Sequence, residues 1–472
     1  MKQNRTKETA TKVDLAEAIA AIDLGSNSFH LIVVKVNDGH LQVIDRLRET
    51  VRLGEGLTHD KRLDPVVAER ALACLKRFSQ RLRPLPRENI RAVGTNTLRQ
   101  IHPADNFIDQ AEKALNHPID IIAGREEARL VSLGVAHGLA AGEALRLVVD
   151  IGGGSTELII GQGFTPHQRE SLFMGCVSIS RRFFGDGRID EQSMREAELA
   201  CALLIRPVRK LFSEGGWREA IGSSGTIKSI RNLVIEQGWS ESGITRESLE
   251  TLASHLIEVG HIDRLTLKGL PEERKPVFVG GVAVLLAVFR YIGIQKMQVS
   301  DEALREGLIY DMIGRSQHED ARERTVNSLV TRYGIDEAQA DRVEASALAL
   351  FDQVVRPWRM QDPHYPAMLR WAARLHEAGL TVSHSGFHKH GAYLVGNSDL
   401  SGFSRQEQQV LAALIRGHRR KFPSSVFAAL PREVINYSKQ LCILLRLSVL
   451  SHRARSPVIK PMARLEAEQK AG

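Results

Sequence analysis

VVDIGGGSTELIIG, residues 148–161, sets three glycines and two small hydroxyl residues between two apolar runs, with Asp150 just before the turn and Glu157 just after it. Apolar runs of this length, rich in Val and Ile and bounded by a glycine turn, read as two strands of a hairpin. The chain does nearly the same thing earlier: in AAIDLGSNSFHLIVVKV, residues 20–36, Asp23 precedes Gly25, Ser26, Asn27 and Ser28. One such turn is an ordinary hairpin. Two related turns, each with a carboxylate at the end of its first strand, point to a pair of facing jaws.

A turn built from Gly and Ser leaves backbone N–H groups uncovered, and several of them directed into one concavity bind phosphate oxygens without a cationic side chain. Glycine is required where a Cβ would keep the anion away. A carboxylate beside such a cradle repels phosphate directly, so its role is to hold a divalent cation, Mg2+ by preference, that bridges to the phosphate. Asp150, with Glu157 in support, is the candidate metal ligand. Gly152, Gly153, Gly154 and Ser155 form one candidate phosphate loop; Asp23 and Gly25 to Ser28 form the other.

Three further stretches carry usable chemistry. IGSSGTIKSI, residues 221–230, precedes a helix; Gly225 stands where amides and the positive end of the helix dipole meet an anion, although helix capping by Ser224 or Thr226 explains the same residues. AVGTNTLRQ, residues 92–100, leaves a strand with Thr95, Thr97 and Arg99 near the turn. Arg99 is either a bidentate phosphate clamp or a surface arginine. IIAGREEARLVSLGV, residues 121–135, puts Glu126 and Glu127 at a helix start. Acids there complement the dipole, and a carboxylate there also suits the activation of water against a phosphate.

Length and composition bound the rest. A chain of 472 residues, 43% hydrophobic and 25% charged, is too long for a single core and has the make-up of a globular protein. The apolar run VFVGGVAVLLAVF, residues 277–289, is shorter than the roughly 20 residues of a membrane span and reads as buried core. The start lacks the apolar stretch of a signal peptide, so residues 1–18 are expected to form a flexible tail and the protein to be cytoplasmic. Cys74, Cys176, Cys201 and Cys442 are scattered, which argues against disulfides and zinc. From 411 to the end there are twelve Lys or Arg against three Glu, in a chain whose whole net charge is +8. That basic end is either a surface for a polyanion or a solvated helical face.

Alternating strand and helix patterns over 19–135 and again over 136–315 imply mixed α/β layers. From 316 to 472, stretches such as EAQADRVEASALALFDQVV and RQEQQVLAALIRGH repeat apolar residues at three and four spacing, so the last part is helical.

Taken in order, AAIDLGSNSFHLIV, VGTNTLRQ, IIAGREEARL, VVDIGGGSTELIIG, MGCVS, IGSSGTIKSI and ALREGLIYDM resemble the exopolyphosphatase and guanosine pentaphosphate phosphatase family. The resemblance continues through LRWAARLHEAGLTVSHSGFHKHGAYLVGNSDLSGFSRQEQ. It implies an α/β fold of two actin-like domains, 19–135 and 136–315, of ribonuclease H-like (ASKHA) type, flanking a cleft. An all-helical HD-like domain, 316–472, follows. It implies Glu127 as catalytic base, Mg2+ or another divalent cation on Asp150, and a homodimer. The His-Asp doublet of HD-type metal sites is here His376-Glu377, so the helical domain is expected to hold no metal and to serve as substrate surface. HSGFHKHGAYL and IRGHRRKF are similar to the exopolyphosphatase branch. The main expectation is therefore hydrolysis of the terminal phosphate of inorganic polyphosphate, with His384, His388, His390, His418, Arg419, Arg420 and Lys421 as a polyphosphate track. A guanosine pentaphosphate 5′-phosphatase is the alternative, and an actin-like ATP-binding scaffold or kinase is the more distant one. No membrane or specific nucleic-acid partner is expected. Longer family members carry a further strand-rich domain, expected to be missing here, and DEALREG replaces their DGALREG, placing Glu302 at the cleft edge.

Overall fold

A computed structural model describes residues 17–37, 40–139, 144–316, 320–456 and 464–465. Most of the expected N-terminal tail, and part of the basic end including Lys460 and Lys470, lie outside the described residues. The chain divides into two compact units: Met1–Ile119 with Glu127–Ile313, and Asp120–Glu126 with Gly314–Gly472.

The first unit holds two sheets built by one plan. β1 (Ile19–Leu24), β2 (Phe29–Asn37) and β3 (His40–Glu49) form an antiparallel meander; β4 (Ile90–Gly94) and β5 (Ile119–Ile121) complete the order β3-β2-β1-β4-β5. β6 (Arg146–Ile151), β7 (Thr156–Gln162) and β8 (Thr165–Leu172) repeat the meander. With β9 (Glu219–Ser223), β10 (Ile244–Thr245) and β11 (Lys296–Val299) they give the order β10-β11-β9-β6-β7-β8. In each sheet the first strand of the meander also pairs in parallel with a later strand, β1 with β4 and β6 with β9. These are the two actin-like domains.

The repeat extends to register. β1 and β6 share one burial pattern, with a less buried position only at the first residue and at the aspartate. Asp23 pairs across the hairpin with His30, and Asp150 pairs with Glu157. Alternation along a strand sends the flanking apolar residues to opposite faces, while each aspartate reaches the strand end where the turn begins.

The apolar run that is the longest in sequence lies in helix Lys275–Ile292, where fourteen residues are buried. By length and composition that helix could cross a membrane, but most of it is inside the protein, in the core beneath the second sheet. Ser180 Oγ accepts a hydrogen bond from Gly280 N at 3.1 Å, and Gly280 itself has no room for a side chain, since a Cβ there would sit 2.4 Å from that hydroxyl.

Helix Gly124–Gly138, which carries Glu127, is locked against helix Leu304–Ser316 by backbone contact. A Cβ on Gly134 would come within 2.1 Å of Ala303 O, and one on Gly307 within 1.8 Å of Leu130 O. Beside this crossing, Asp311 accepts from Arg91 and from Arg129, both at 2.6 Å. All three side chains are buried. The network ties β4 and the Glu127 helix to the last helix of the unit.

In the second unit, helices including Ala321–Arg332, Glu337–Val354, His364–Leu375, Phe387–Asn397, Arg405–Gly417 and Arg432–Ser451 enclose their own core around Trp371, Phe403 and Leu414. Glu126, within this unit, accepts from Gly402 N at 2.9 Å.

Gly307→Ala should lower stability by about 3 kcal/mol, at the top of the usual range for overpacking, because the obstruction is backbone that must move as a helix. An unchanged urea midpoint would refute the close crossing.

Candidate active site

Both glycine turns open into one cavity of about 470 Å³. Their similarity goes deeper than composition. In the first turn, the carbonyls of Ser26 and Asn27 accept from Gly54 N at 2.8 Å and Arg52 N at 2.7 Å. In the second, the carbonyls of Gly152 and Gly153 accept from Cys176 N at 3.0 Å and Val177 N at 2.9 Å. Each turn thus has two consecutive carbonyls engaged by the segment that follows its own meander. An anion on the other side meets amides rather than carbonyl lone pairs.

The two turns also touch. A Cβ on Gly153 would lie 2.8 Å from Ser26 Cβ and 3.2 Å from Asn27 N; one on Gly154 would lie 2.5 Å from Asn96 Oδ1. Gly175, in MGCVS, is needed because its Cβ would strike the Gly153 backbone at 2.4 Å. A hydroxyl pair braces the first turn: Thr97 Oγ1 donates to Ser26 Oγ at 2.7 Å.

Asp23, Gly25 to Ser28, Thr95, Glu127, Asp150, Gly152 to Ser155 and Gly225 all line the cavity. Two expected residues do not. Arg99 is buried and donates from Nη1 to Glu127 Oε2 at 2.9 Å, so it fixes a carboxylate instead of clamping phosphate. The reading of Arg99 as a phosphate ligand is corrected on that ground. Glu157 lies a layer behind, fully buried, accepting from Ser171 Oγ at 2.8 Å. At Gly225 the missing side chain makes room for Arg274, whose Nη2 would be 2.0 Å from a Cβ.

Four carboxylates share this space, and their proton affinities show it. Burial first, and then the charge of Glu127, push Asp23 up to about 7. Burial pushes Asp150 up to about 6, opposed by a hydrogen bond from Ser223. Burial, with Glu127 and Asp150 adding to it, holds Glu157 well above the ordinary carboxylate range. Glu127 is also raised by burial, against the opposing charge and hydrogen bond of Arg99. Asp23 Oδ1, Asp150 Oδ1 and Glu157 Oε2 are buried without a hydrogen-bond partner. Carboxylates so placed favour their neutral form or a cation.

Opposite them stands a set of cations that the sequence reading did not single out: Arg46, Arg48, Lys228, Arg274 and Arg305 line the same cavity. They come from distant segments, so no local pattern announces them. Arg305 Nη1 lies 3.1 Å from His30 Nδ1. Burial, followed by the charges of Arg305 and Arg48, drives His30 well below its usual value, so His30 is neutral. The segment VRLGEG, residues 51–56, was missed for another reason. Its amides do for the first loop what MGCVS does for the second, yet in sequence it is a plain glycine turn.

The expected polyphosphate track needs correction. His388 and His418 are 3% and 1% exposed, packed with Phe387 inside the helical unit, so neither offers a surface to a chain of phosphates. Arg419 stacks over Phe387 at 4.4 Å. His384, Arg420 and Lys421 are exposed and His390 partly so. Part of the basic end is also used internally: Arg446 donates to Arg420 O at 2.6 Å, and Arg455 to Glu377 at 2.6 Å.

Residues 32–316 match the Ppx/GppA phosphatase family, and residues 321–471 match domain III of the Ppx/GppA phosphatases. A guanosine-5′-triphosphate,3′-diphosphate pyrophosphatase from Aeromonas hydrophila subsp. hydrophila is 39% identical over 452 residues, covering 96% of this chain and 91% of that protein. One of the same name from Vibrio cholerae is 40% identical over 453 residues, 95% and 90% respectively. The crystal structure of an exopolyphosphatase from Cytophaga hutchinsonii superposes with a TM-score of 0.58 at 24% identity, over 63% of this chain and 98% of its own; at that identity it shows the fold alone. These relatives overturn the main expectation of polyphosphate hydrolysis, since those alike along nearly the whole chain are named for the guanosine nucleotide, the alternative reading. The short segments that had suggested the exopolyphosphatase branch weigh less than identity over the full length. With its two mirrored glycine turns, its buried glutamate and its helical second unit, the chain belongs to the Ppx/GppA phosphatase family.

Proposed function

We propose that this enzyme hydrolyses the terminal 5′ phosphate of guanosine 5′-triphosphate 3′-diphosphate, releasing orthophosphate. The observation that carries the reading is the convergence of both phosphate loops, Glu127 and five cationic side chains on one cavity. The volume of about 470 Å³ suits a nucleotide-sized ligand. A nucleotide with phosphates on both the 5′ and 3′ positions needs two anion-binding regions. The amide loops serve the reacting end, and Arg46, Arg48 and Arg274 serve the remainder. The whole-length likeness to proteins named for that nucleotide supports the choice of base and sugar.

In the proposed reaction a water oxygen attacks the terminal phosphorus, its proton passes to the Glu127 carboxylate, and the bridging oxygen departs with the nucleotide. Arg99 keeps Glu127 oriented by holding Oε2. The raised proton affinity of Glu127 makes it a stronger base once ionised. Amides of the two turns meet the equatorial oxygens, where charge accumulates in phosphoryl transfer.

Mg2+ fits the carboxylates present. Asp23 and Asp150 each turn a buried, unpartnered oxygen into the region of the loops, with Glu157 behind. Among the described residues no group of three or more His, Cys, Asp or Glu is arranged as a complete metal cage, and Mg2+ takes one or two carboxylates together with phosphate and water. When bound it supplies neutralisation of phosphate charge. Asp150 and Asp23 would hold it.

Three outcomes follow. Glu127→Gln should reduce kcat by about 10²- to 10⁴-fold while circular dichroism stays unchanged; undiminished turnover removes the assignment of the base. Phosphate release, assayed in parallel from guanosine 5′-triphosphate 3′-diphosphate, long polyphosphate and ATP, should give the highest kcat/KM with the guanosine nucleotide, and a clear preference for either other substrate overturns the reading. The third concerns stability. Because folding raises the Asp150 pKa from 3.8 to about 6, its contribution favours the fold below the lower value and is lost progressively as pH rises from there through the higher one. In the absence of divalent cations, Asp150→Asn should therefore raise Tm by about 3 °C at pH 8 and change it little near pH 4, where the side chain is protonated in the fold and close to its midpoint in the unfolded chain; with Mg2+ present the same variant should lose activity. A lower Tm at pH 8 would contradict the raised proton affinity.

A further inference from the structure

A second cavity, also about 470 Å³, lies behind the paired loops. Ser26, Asn96, Gly153 and Gly154 line both cavities, so only one layer of small residues separates them. The rear cavity is bounded by Gly54 and Val177, whose amides hold the loop carbonyls, and by Arg181 and Arg182. Both arginines are exposed. Asn96 sits in the partition with an unusual hydrogen-bond state: its Oδ1 accepts from Gln100 Nε2 at 2.6 Å, while its Nδ2 is buried with no partner. The residue is 3% exposed. A buried amide donor without an acceptor is costly, and an anion oxygen would satisfy it.

We infer that the rear cavity is a binding and exit site for orthophosphate, with Asn96 Nδ2 as the donor that receives the product through the partition. The inference rests on the proposed cleavage of a terminal phosphate. In that reaction the phosphate released is the one lodged deepest, against the loops. The guanosine 5′-diphosphate 3′-diphosphate left in front still occupies the cationic side of the cavity and obstructs retreat. The partition consists of two glycines and two short side chains, so displacing it requires no large group to move. Asn96 is the part free to turn, since its side chain is held by one hydrogen bond, from Gln100. The charges of Arg181 and Arg182 draw the anion to the rear mouth.

The test separates cleavage from release. Wild-type enzyme with Mg2+ is mixed rapidly with excess guanosine 5′-triphosphate 3′-diphosphate; cleaved nucleotide is read by chemical quench and free orthophosphate by a fluorescent phosphate-binding sensor. Two variants alter only the rear cavity: His59→Trp fills it, and Arg182→Glu reverses charge at its mouth. Both should keep the wild-type rate of the first turnover of cleavage and release orthophosphate roughly tenfold more slowly, at the lower end of electrostatic steering effects for the charge reversal. Asn96→Asp, which replaces the donor by an acceptor, should slow release further. If phosphate appears in step with cleavage at wild-type rates in both rear-cavity variants, it leaves by the front and the inference fails. If the wild-type enzyme cleaves none of this nucleotide, the substrate reading fails, and the inference falls with it through a visibly different result.

Discussion

Asp23, Glu127, Asp150 and Glu157 are four carboxylates held within electrostatic reach of one another in a largely buried region, and this crowding governs the rest of the site. Like charges so close cannot all be ionised without a compensating cation. Arg99 compensates only one of them, by direct contact with Glu127. The others keep oxygen atoms with no hydrogen-bond partner. A protein gains nothing in stability from such an arrangement. The proposed divalent cation, accompanied by phosphate, would compensate these charges.

The fold places these groups by doing one thing twice. Each meander ends its first strand in an aspartate, turns through small residues, and has the turn's carbonyls drawn back by the amides that follow the meander. The result is amide-lined on one side and engaged on the other. Because the two turns meet, with Gly153 against Ser26, neither can gain a side chain without parting the pair. The Gly134 and Gly307 crossing and the Asp311 network then fix the helix that brings Glu127 to the same point. Turns, Glu127 and helix crossing are parts of one constraint.

The loops were legible in the sequence because glycine, serine and aspartate at fixed local spacing are what a phosphate turn requires, and the alternation around them implied the mixed α/β layers. Glu127 was distinguishable from an ordinary helix-start acid only through the family resemblance. Other features depend on pairings distant in sequence. Arg99 finds Glu127 28 residues away, so a position that looked like a phosphate clamp proves to hold that carboxylate. The five cations come from β3, the helix after β9, the start of the core helix and the last helix of the unit, and nothing local marks them as a set. His388 and His418 looked like surface ligands because their neighbours are basic; which way a helix turns its histidines is decided by packing, and here Phe387 shares their interior. Short motifs misled on the substrate, because a loop suited to a terminal phosphate is indifferent to what that phosphate is attached to.

The central claim is that the clustered carboxylates form a cation site and are held partly protonated by burial, with their mutual proximity adding to it. Isothermal titration of the full-length protein with MgCl2 at pH 6.5, in two buffers of different ionisation enthalpy, measures this directly. The account predicts net release of about one proton per ion bound, because Asp23 and Asp150, at about 7 and 6, must give up protons to accept the cation, and it predicts that Asp150→Asn diminishes the release. Binding with no proton release, or no binding at all, would contradict it.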